Sequence, residues 1–191
     1  MDIDQTIKLN IGSHSKRIDG YQNVDILKLP DVDYVQDVTE TWQWDSESVE
    51  EILMEEFLEH ISFHQTNKVL SEAWRVLKVG GKLHIQVPDC GSMMEMYVKE
   101  EVCECVPHKP SKENPAVANP KCPNCGGFGK VNPRRWLLAF TGAQKYGIPD
   151  IHKNIFTKQL LEDALIDAGE WKIDFREDPL RWKIRVTATK I

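Results

Sequence analysis

Four of the chain's five cysteines fall between positions 103 and 125, as Cys103-Glu-Cys105 and Cys122-Pro-Asn-Cys125. Thiolates on two short knuckles joined by a loop are a common ligand set for tetrahedral zinc. In the run CPNCGGFGK the glycines let backbone N–H groups turn toward the sulfurs. The first pair is spaced more tightly than an ordinary knuckle, so His108 is an alternative to Cys103 or Cys105 as a ligand. With four protein ligands the ion would be structural rather than catalytic. Reduced loop thiols and a redox C-x-x-C pair are the other readings of this set. Cys90 stands apart and reads as a small buried hydrophobe.

A second constellation is a glycine and an acid. Gly12 follows the apolar run 7–11, and Asp25 comes near the end of the run 21–26. A glycine after a first strand lets backbone approach a ligand, and an acid ending the next strand can accept hydrogen bonds from ribose hydroxyls. A plain turn is the commoner reason for such a glycine. His60, Glu56, Asp89 and His152 are the side chains that could take a proton from a reacting group. Each has a structural alternative. His60 ends a possible helical turn, Asp89 follows Pro88 where a helix cap is expected, Glu56 reads as a solvated charge and His152 as a loop residue.

The elements that position these groups alternate. Strands are predicted at 7–11, 21–26, 32–38, 49–54 and 82–87, and again at 171–176 and 181–189. Residues 65–78 repeat apolar side chains at helical spacing, with Gly80-Gly81 as the expected stop. A second helix is predicted over 157–168, with Thr157 as N-cap and Gly169 beyond its end. Strands interleaved with helices favour an α/β fold with a mainly parallel sheet. Only residues 12–20 separate the first two strands, too few for a helical crossover, so a loop or single turn is expected there. Residues 103–133 hold six of the ten prolines and no apolar periodicity, and read as an inserted loop-rich module in a single domain spanning 1–191.

Taken in order, LNIGSHSKRIDGYQNVDI, DYVQDVTE, SVEEILMEEFLEHI and SEAWRVLKVGGKLHIQVPD resemble the successive motifs of small class I S-adenosylmethionine-dependent methyltransferases. The tail HKNIFTKQLLEDALIDAGEWKI is similar to that family's late helix and following strand. The resemblance covers about 1–98 and 136–191. It implies a Rossmann-like, doubly wound, mainly parallel seven-stranded sheet with an antiparallel last strand, plus the inserted zinc module. It also implies roles by position. Asn10, Gly12, Ser13 and His14 would form the loop beside the cofactor's methionine part. Asp25 would bind the ribose diol, Ile26 would pack on adenine, and Asp37 and Val38 would lie at the adenine edge. Glu55 and Glu56 would border the methyl-donor site, with His60 and Asp89 on the substrate side. The family usually carries a second glycine where this chain has His14. CPNCGGFGK separately resembles the C-x-x-C-x-G-x-G unit of DnaJ-type chaperones, over about nine residues.

Composition bounds the rest. The 191 residues are 41% hydrophobic and 28% charged, an ordinary globular balance with no apolar run long enough for a membrane helix. MDIDQTIKLN has no leader pattern, so the expected location is the cytosol. The net charge of −6 argues against a general nucleic-acid coat. Residues 103–135 nevertheless carry six Lys/Arg against two Glu. An anionic acceptor, small or nucleotide-like, is one reading of that basicity, and solvated charge is the other. Trp42 and Trp44 are expected in the core or at the acceptor, as is Trp136. The acids Glu47, Glu50, Glu51, Glu55 and Glu56 read as a solvated face. Two functions compete: methyl transfer from S-adenosylmethionine to an unidentified acceptor, and a zinc-containing binding module whose cofactor loop His14 has degraded. A dinucleotide oxidoreductase is weaker, because the loop lacks the later glycines of that fingerprint.

Overall fold

The computed structural model describes residues 6–99, 140–142, 151–179 and 181–191. Cys103, Cys105, His108, Cys122, Cys125 and Trp136 lie outside these residues. The elements run β1 (Ile7–Ile11), β2 (Gln22–Asp25), β3 (Tyr34–Val35), β4 (Val49–Glu55), α1 (Phe63–Val76), β5 (Leu77–Pro88), α2 (Cys90–Val98), α3 (Lys158–Ala168), β6 (Trp171–Arg176) and β7 (Lys183–Lys190). A 3₁₀ turn covers Leu58–His60. The strands form one seven-stranded sheet in the order β3-β2-β1-β4-β5-β7-β6. β7 is antiparallel to β5 and β6, and the pairs from β3 to β5 are parallel.

Strand register sorts the side chains. Leu9 pairs with Ile52, Ile52 with Leu83 and Leu83 with Ala188, so these share one face, and all four are solvent-free. Onto that face pack α1, through Val69, Leu70, Ala73 and Val76, and α3, through Leu161 and Leu165. Each of these Val and Leu side chains contributes about 1.5–3 kcal/mol by leaving water. The opposite face is polar. It carries Lys8, Glu51, His84, Gln86 and Arg185, not the apolar bed that a full second helical layer needs. The expected solvation of Glu51 fails here. Its carboxylate is partly buried and bonded to Lys8 at 2.8 Å, with His84 Nε2 3.0 Å away. α2 builds a smaller apolar cluster of Cys90, Met93 and Met96 with Phe140 and Trp182.

Three local details bear on the site. The β1–β2 crossover is a loop, as the spacing requires, because residues 12–21 contain no helix. It is braced by Asn10, whose Nδ2 donates to Lys16 O at 3.0 Å and Asn23 Oδ1 at 2.9 Å. The second detail corrects an expectation: Gly80-Gly81 do not stop α1. The helix ends where Leu77 turns extended, and the glycines lie inside β5. Leu77 pairs with Val49 but Lys82 with Glu51, so the register slips between them. At Gly81 an added Cβ would stand 2.8 Å from Lys78 O and 3.1 Å from Glu50 O.

The third is a clamp on the loop after β3. Arg75 on α1 donates to Trp42 O at 3.1 Å and Trp44 O at 3.0 Å. Glu72, bonded twice to Arg75, accepts from Trp42 N–H at 2.7 Å. Both tryptophans are buried, as core residues. Trp42 Nε1 donates to Val38 O at 2.9 Å, so the clamp reaches the start of the loop after β3. No helix among the described residues is long and apolar enough to cross a membrane.

Candidate functional site

In an open α/β sheet, ligands bind beyond the carboxyl ends of the strands, where the strand order reverses. Here the order reverses between β1 and β4. A pocket of about 530 Å³ opens there, inside the range of about 300–1,000 Å³ common for small-molecule sites. Gly12 and His14 enter it from the end of β1, and Asp25 and Ile26 from β2. Asp37 and Val38 follow from β3, and Glu56, Phe57 and His60 from β4. Lys153 closes one side.

The Gly12 position admits no side chain. Its φ is +69°, and a Cβ would fall 2.1 Å from Phe57 Cδ2. The Phe57 ring therefore lies against bare backbone, and the loop after β1 lies close to the loop after β4. Gly12 N–H and Ser13 N–H both donate to Val24 O, at 2.9 and 3.1 Å. His14 N–H then donates to Asp25 Oδ2 at 2.8 Å, while Leu27 N–H donates to Oδ1 at 2.9 Å. Two backbone donors thus fix the Asp25 carboxylate at the pocket, and each oxygen keeps a lone pair for a further donor. His14 has φ +45°, a left-handed conformation. It holds the backbone geometry that glycine adopts at no cost, and its ring Nδ1 lies 3.1 Å from Ser15 Oγ.

At the other end, Glu56 also has positive φ, +53°, and its carboxylate binds Gln86 at 3.0 Å and Lys183 at 3.1 Å. The backbone O of Glu59 accepts from Lys153 N–H at 2.9 Å and Asn154 N–H at 3.0 Å. Those two bonds hold the segment before α3 against the turn after β4. They bring His152 beside His60, with ring centroids 4.9 Å apart and nearly perpendicular. Burial pushes the Glu59 carboxyl up to about 8, with the nearby Glu56 charge adding to it.

Of the residues expected at the site, Gly12, His14, Asp25, Ile26, Asp37, Val38, Glu56 and His60 line this pocket. Asn10 and Ser13 are buried behind it as braces, outside the lining. Glu55 lies on the polar face of the sheet, paired with Lys16, and lines a smaller pocket of about 250 Å³ there. Asp89 is the N-cap of α2, accepting from Ser92 N–H at 3.0 Å and Ser92 Oγ at 2.7 Å. Cys90 is buried, which pushes its thiol up to about 11. Sequence reading missed Phe57, Lys153 and Glu59. Nothing local announced either the approach of Phe57 to Gly12 or the burial of Glu59.

Residues 12–85 match the methyltransferase domain family. No curated protein matches the chain in sequence. Among solved structures, a SAM-dependent methyltransferase from Methanosarcina mazei is similar, with 16% identity and a TM-score of 0.54; the match covers 98% of this chain and 93% of that one. A Burkholderia thailandensis 1,6-didemethyltoxoflavin-N1-methyltransferase with bound S-adenosylhomocysteine is 14% identical with a TM-score of 0.56, over 96% of this chain and 70% of that one. A possible exported protein from Bordetella parapertussis is 14% identical with a TM-score of 0.52 over 96% of this chain. The chain spans only 61% of that protein's length. The fold is thus the α/β Rossmann-like fold of S-adenosylmethionine-dependent methyltransferases, with a mixed seven-stranded sheet.

Proposed function

We propose that the chain binds S-adenosylmethionine in the pocket at the β1/β4 switch point and methylates an acceptor that enters on the His60 side. The observation that carries this reading is the Asp25 carboxylate, set at the pocket by two backbone donors beside a Gly12 that leaves no space for a side chain. Those residues fit a nucleoside. Asp25 accepts from two vicinal hydroxyls, Ile26 offers an exposed apolar surface for a base, and Asp37 and Val38 border it.

When bound, the cofactor supplies an electrophilic methyl group whose transfer depends mainly on alignment. The chain's part is to orient and exclude. Phe57 against Gly12 shapes the wall between the two loops. Arg75 and Glu72 hold Val38 through Trp42. His60 is a pocket-lining group able to accept a proton from an acceptor that must lose one. Asp89 caps α2 through Ser92.

The left-handed backbone of His14 and the open pocket beside it favour this reading over a degraded site. In the same reading Cys103, Cys105, Cys122 and Cys125 hold a structural zinc. The basic residues around them make anionic compounds the first acceptors to screen. Titration calorimetry of the zinc-replete protein with S-adenosylmethionine and S-adenosylhomocysteine tests the core of the proposal. Micromolar binding that Asp25→Ala weakens at least tenfold supports it. No binding up to millimolar concentration overturns it.

A further inference from the structure

Glu59 is the most deeply buried acid among the described residues, at 2% exposure, and neither carboxylate oxygen has a hydrogen-bond partner. Buried polar groups are ordinarily satisfied, and an isolated buried carboxyl is costly. What surrounds it is not apolar alone. His152 Nε2 stands 4.0 Å from Glu59 Oε1. One ligand atom from each of Glu59, His60 and His152 can be chosen so that all lie within 4.8 Å of one another. The convergence is built rather than incidental. The Glu59 backbone O holds the 153–154 backbone through two hydrogen bonds, and the two rings pack edge to face.

We propose that Glu59, His60 and His152 form a binding site for a divalent transition-metal ion, set in the wall of the pocket. Two imidazoles and a carboxylate suit Zn²⁺, Fe²⁺, Co²⁺ or Ni²⁺ rather than Mg²⁺ or Ca²⁺, which prefer all-oxygen shells. Ligand bonds of about 2.0–2.1 Å at tetrahedral angles place ligand atoms roughly 3.4 Å apart. The present spacing must contract to that value when an ion binds. The ion offsets the buried carboxylate charge, which explains why an acid with no hydrogen-bond partner is kept at this place. His60 lines the pocket, so the site borders the space where an acceptor would enter, and with the ion bound His60 is a ligand and no longer a proton acceptor. The proposal stands apart from cofactor binding and is read without it.

The test is Co²⁺ titration of the full-length protein, followed by calorimetry and by absorption spectroscopy. Cobalt on cysteine thiolates gives an intense sulfur-to-metal charge-transfer band, so binding at Cys103–Cys125 is separated from binding at imidazole and carboxylate. The expected result is one Co²⁺ bound without that band, besides any bound with it at the cysteines, with His152→Ala and Glu59→Gln each weakening the band-free binding at least tenfold. Glu59→Gln keeps the side chain's shape and is neutral, as the raised carboxyl is near neutral pH without an ion, so the variant should fold with an unchanged Tm. Loss of cobalt in that variant is therefore loss of a ligand, not of the fold. Overturning results are cobalt found only with the thiolate band, or equal affinity in the wild type and both variants.

Discussion

Replacing His14 with glycine separates two things that a side chain can contribute to the loop after β1. The backbone there has φ +45°. A left-handed conformation costs a residue with a Cβ about 1–2 kcal/mol, and glycine carries roughly 0.5–1 kcal/mol of extra unfolded-chain entropy. His14→Gly should therefore stabilise the protein by a net of about 0.5–1 kcal/mol, or about 1–4 °C in Tm for a chain of this size. The link that matters to the pocket is His14 N–H to Asp25 at 2.8 Å, a backbone bond that glycine keeps. The ring itself is exposed and lies beside Ser15. S-adenosylmethionine affinity should then change by less than about threefold, under 0.7 kcal/mol. His14→Ala, which keeps the Cβ, should gain no stability. Thermal unfolding and calorimetry on the three proteins make the comparison. A tenfold loss of affinity in His14→Gly would mean that the imidazole holds the ligand, and a tenfold gain would mean that it obstructs. Either result refutes the argument that backbone conformation is what this position supplies.

Other outcomes follow from single contacts. Gly12→Ala must push the Phe57 ring aside from a 2.1 Å overlap and strain a φ of +69°; a destabilisation of about 2–4 kcal/mol and loss of cofactor binding are expected, by denaturant melts and calorimetry. Glu72→Ala removes the acceptor of Trp42 N–H and both Arg75 bonds, costing about 2 kcal/mol. The Arg75 guanidinium holds the Glu72 carboxyl below its ordinary 4.5. A lowered native pKa stabilises above the ordinary value and loses that contribution as pH falls through the native one. The Tm gap between wild type and Glu72→Ala should therefore be full above about pH 4.5 and close in more acid buffer, as scanning calorimetry would show. If Cys103–Cys125 hold the proposed zinc, its chelation should expose 103–133 to protease while far-UV dichroism of the sheet persists. Collapse of the dichroism would make the metal integral to the core.

Much of the sheet was legible because its signals are local. The β1 run and the late β6 strand match their apolar patterns, and α1 and α3 fall within two residues of their periodic spans. Thr157 caps α3 as its type and place suggest, accepting from Leu160 N–H at 3.2 Å. Gly169 was read as a helix stop, but its φ of 169° is ordinary extended backbone. What forbids a side chain there is Trp74, whose ring would lie 2.4 Å from the added Cβ. The same holds at Gly80-Gly81, where a sequence pattern that ends helices serves instead to slip one strand past another. In each case the residue type was readable and its reason was not, because the reason is a neighbour remote in the chain.

The site follows the same division. Asp25 and Gly12 sit at strand ends, and Val38 three residues past β3; strand ends are written in the sequence by where apolar alternation stops. Their positions were accordingly readable from pattern and family resemblance. Glu59 is different. In FLEHI it looks like any acid at the mouth of a helix, one residue from a histidine. Its burial is made by residues 151–154, more than ninety positions away, when their backbone bonds to its carbonyl. Glu55 and Glu56 make the contrast sharper. Both were read as bordering the pocket, yet they are adjacent in the chain and diverge in the fold. Glu55 pairs with Lys16 on the polar face of the sheet, while the left-handed turn at Glu56 directs the chain into the pocket wall. Once β4 ends, strand alternation no longer assigns sides. From there to α1, which acid meets the ligand is decided by the turn and by the distant segment packed on it.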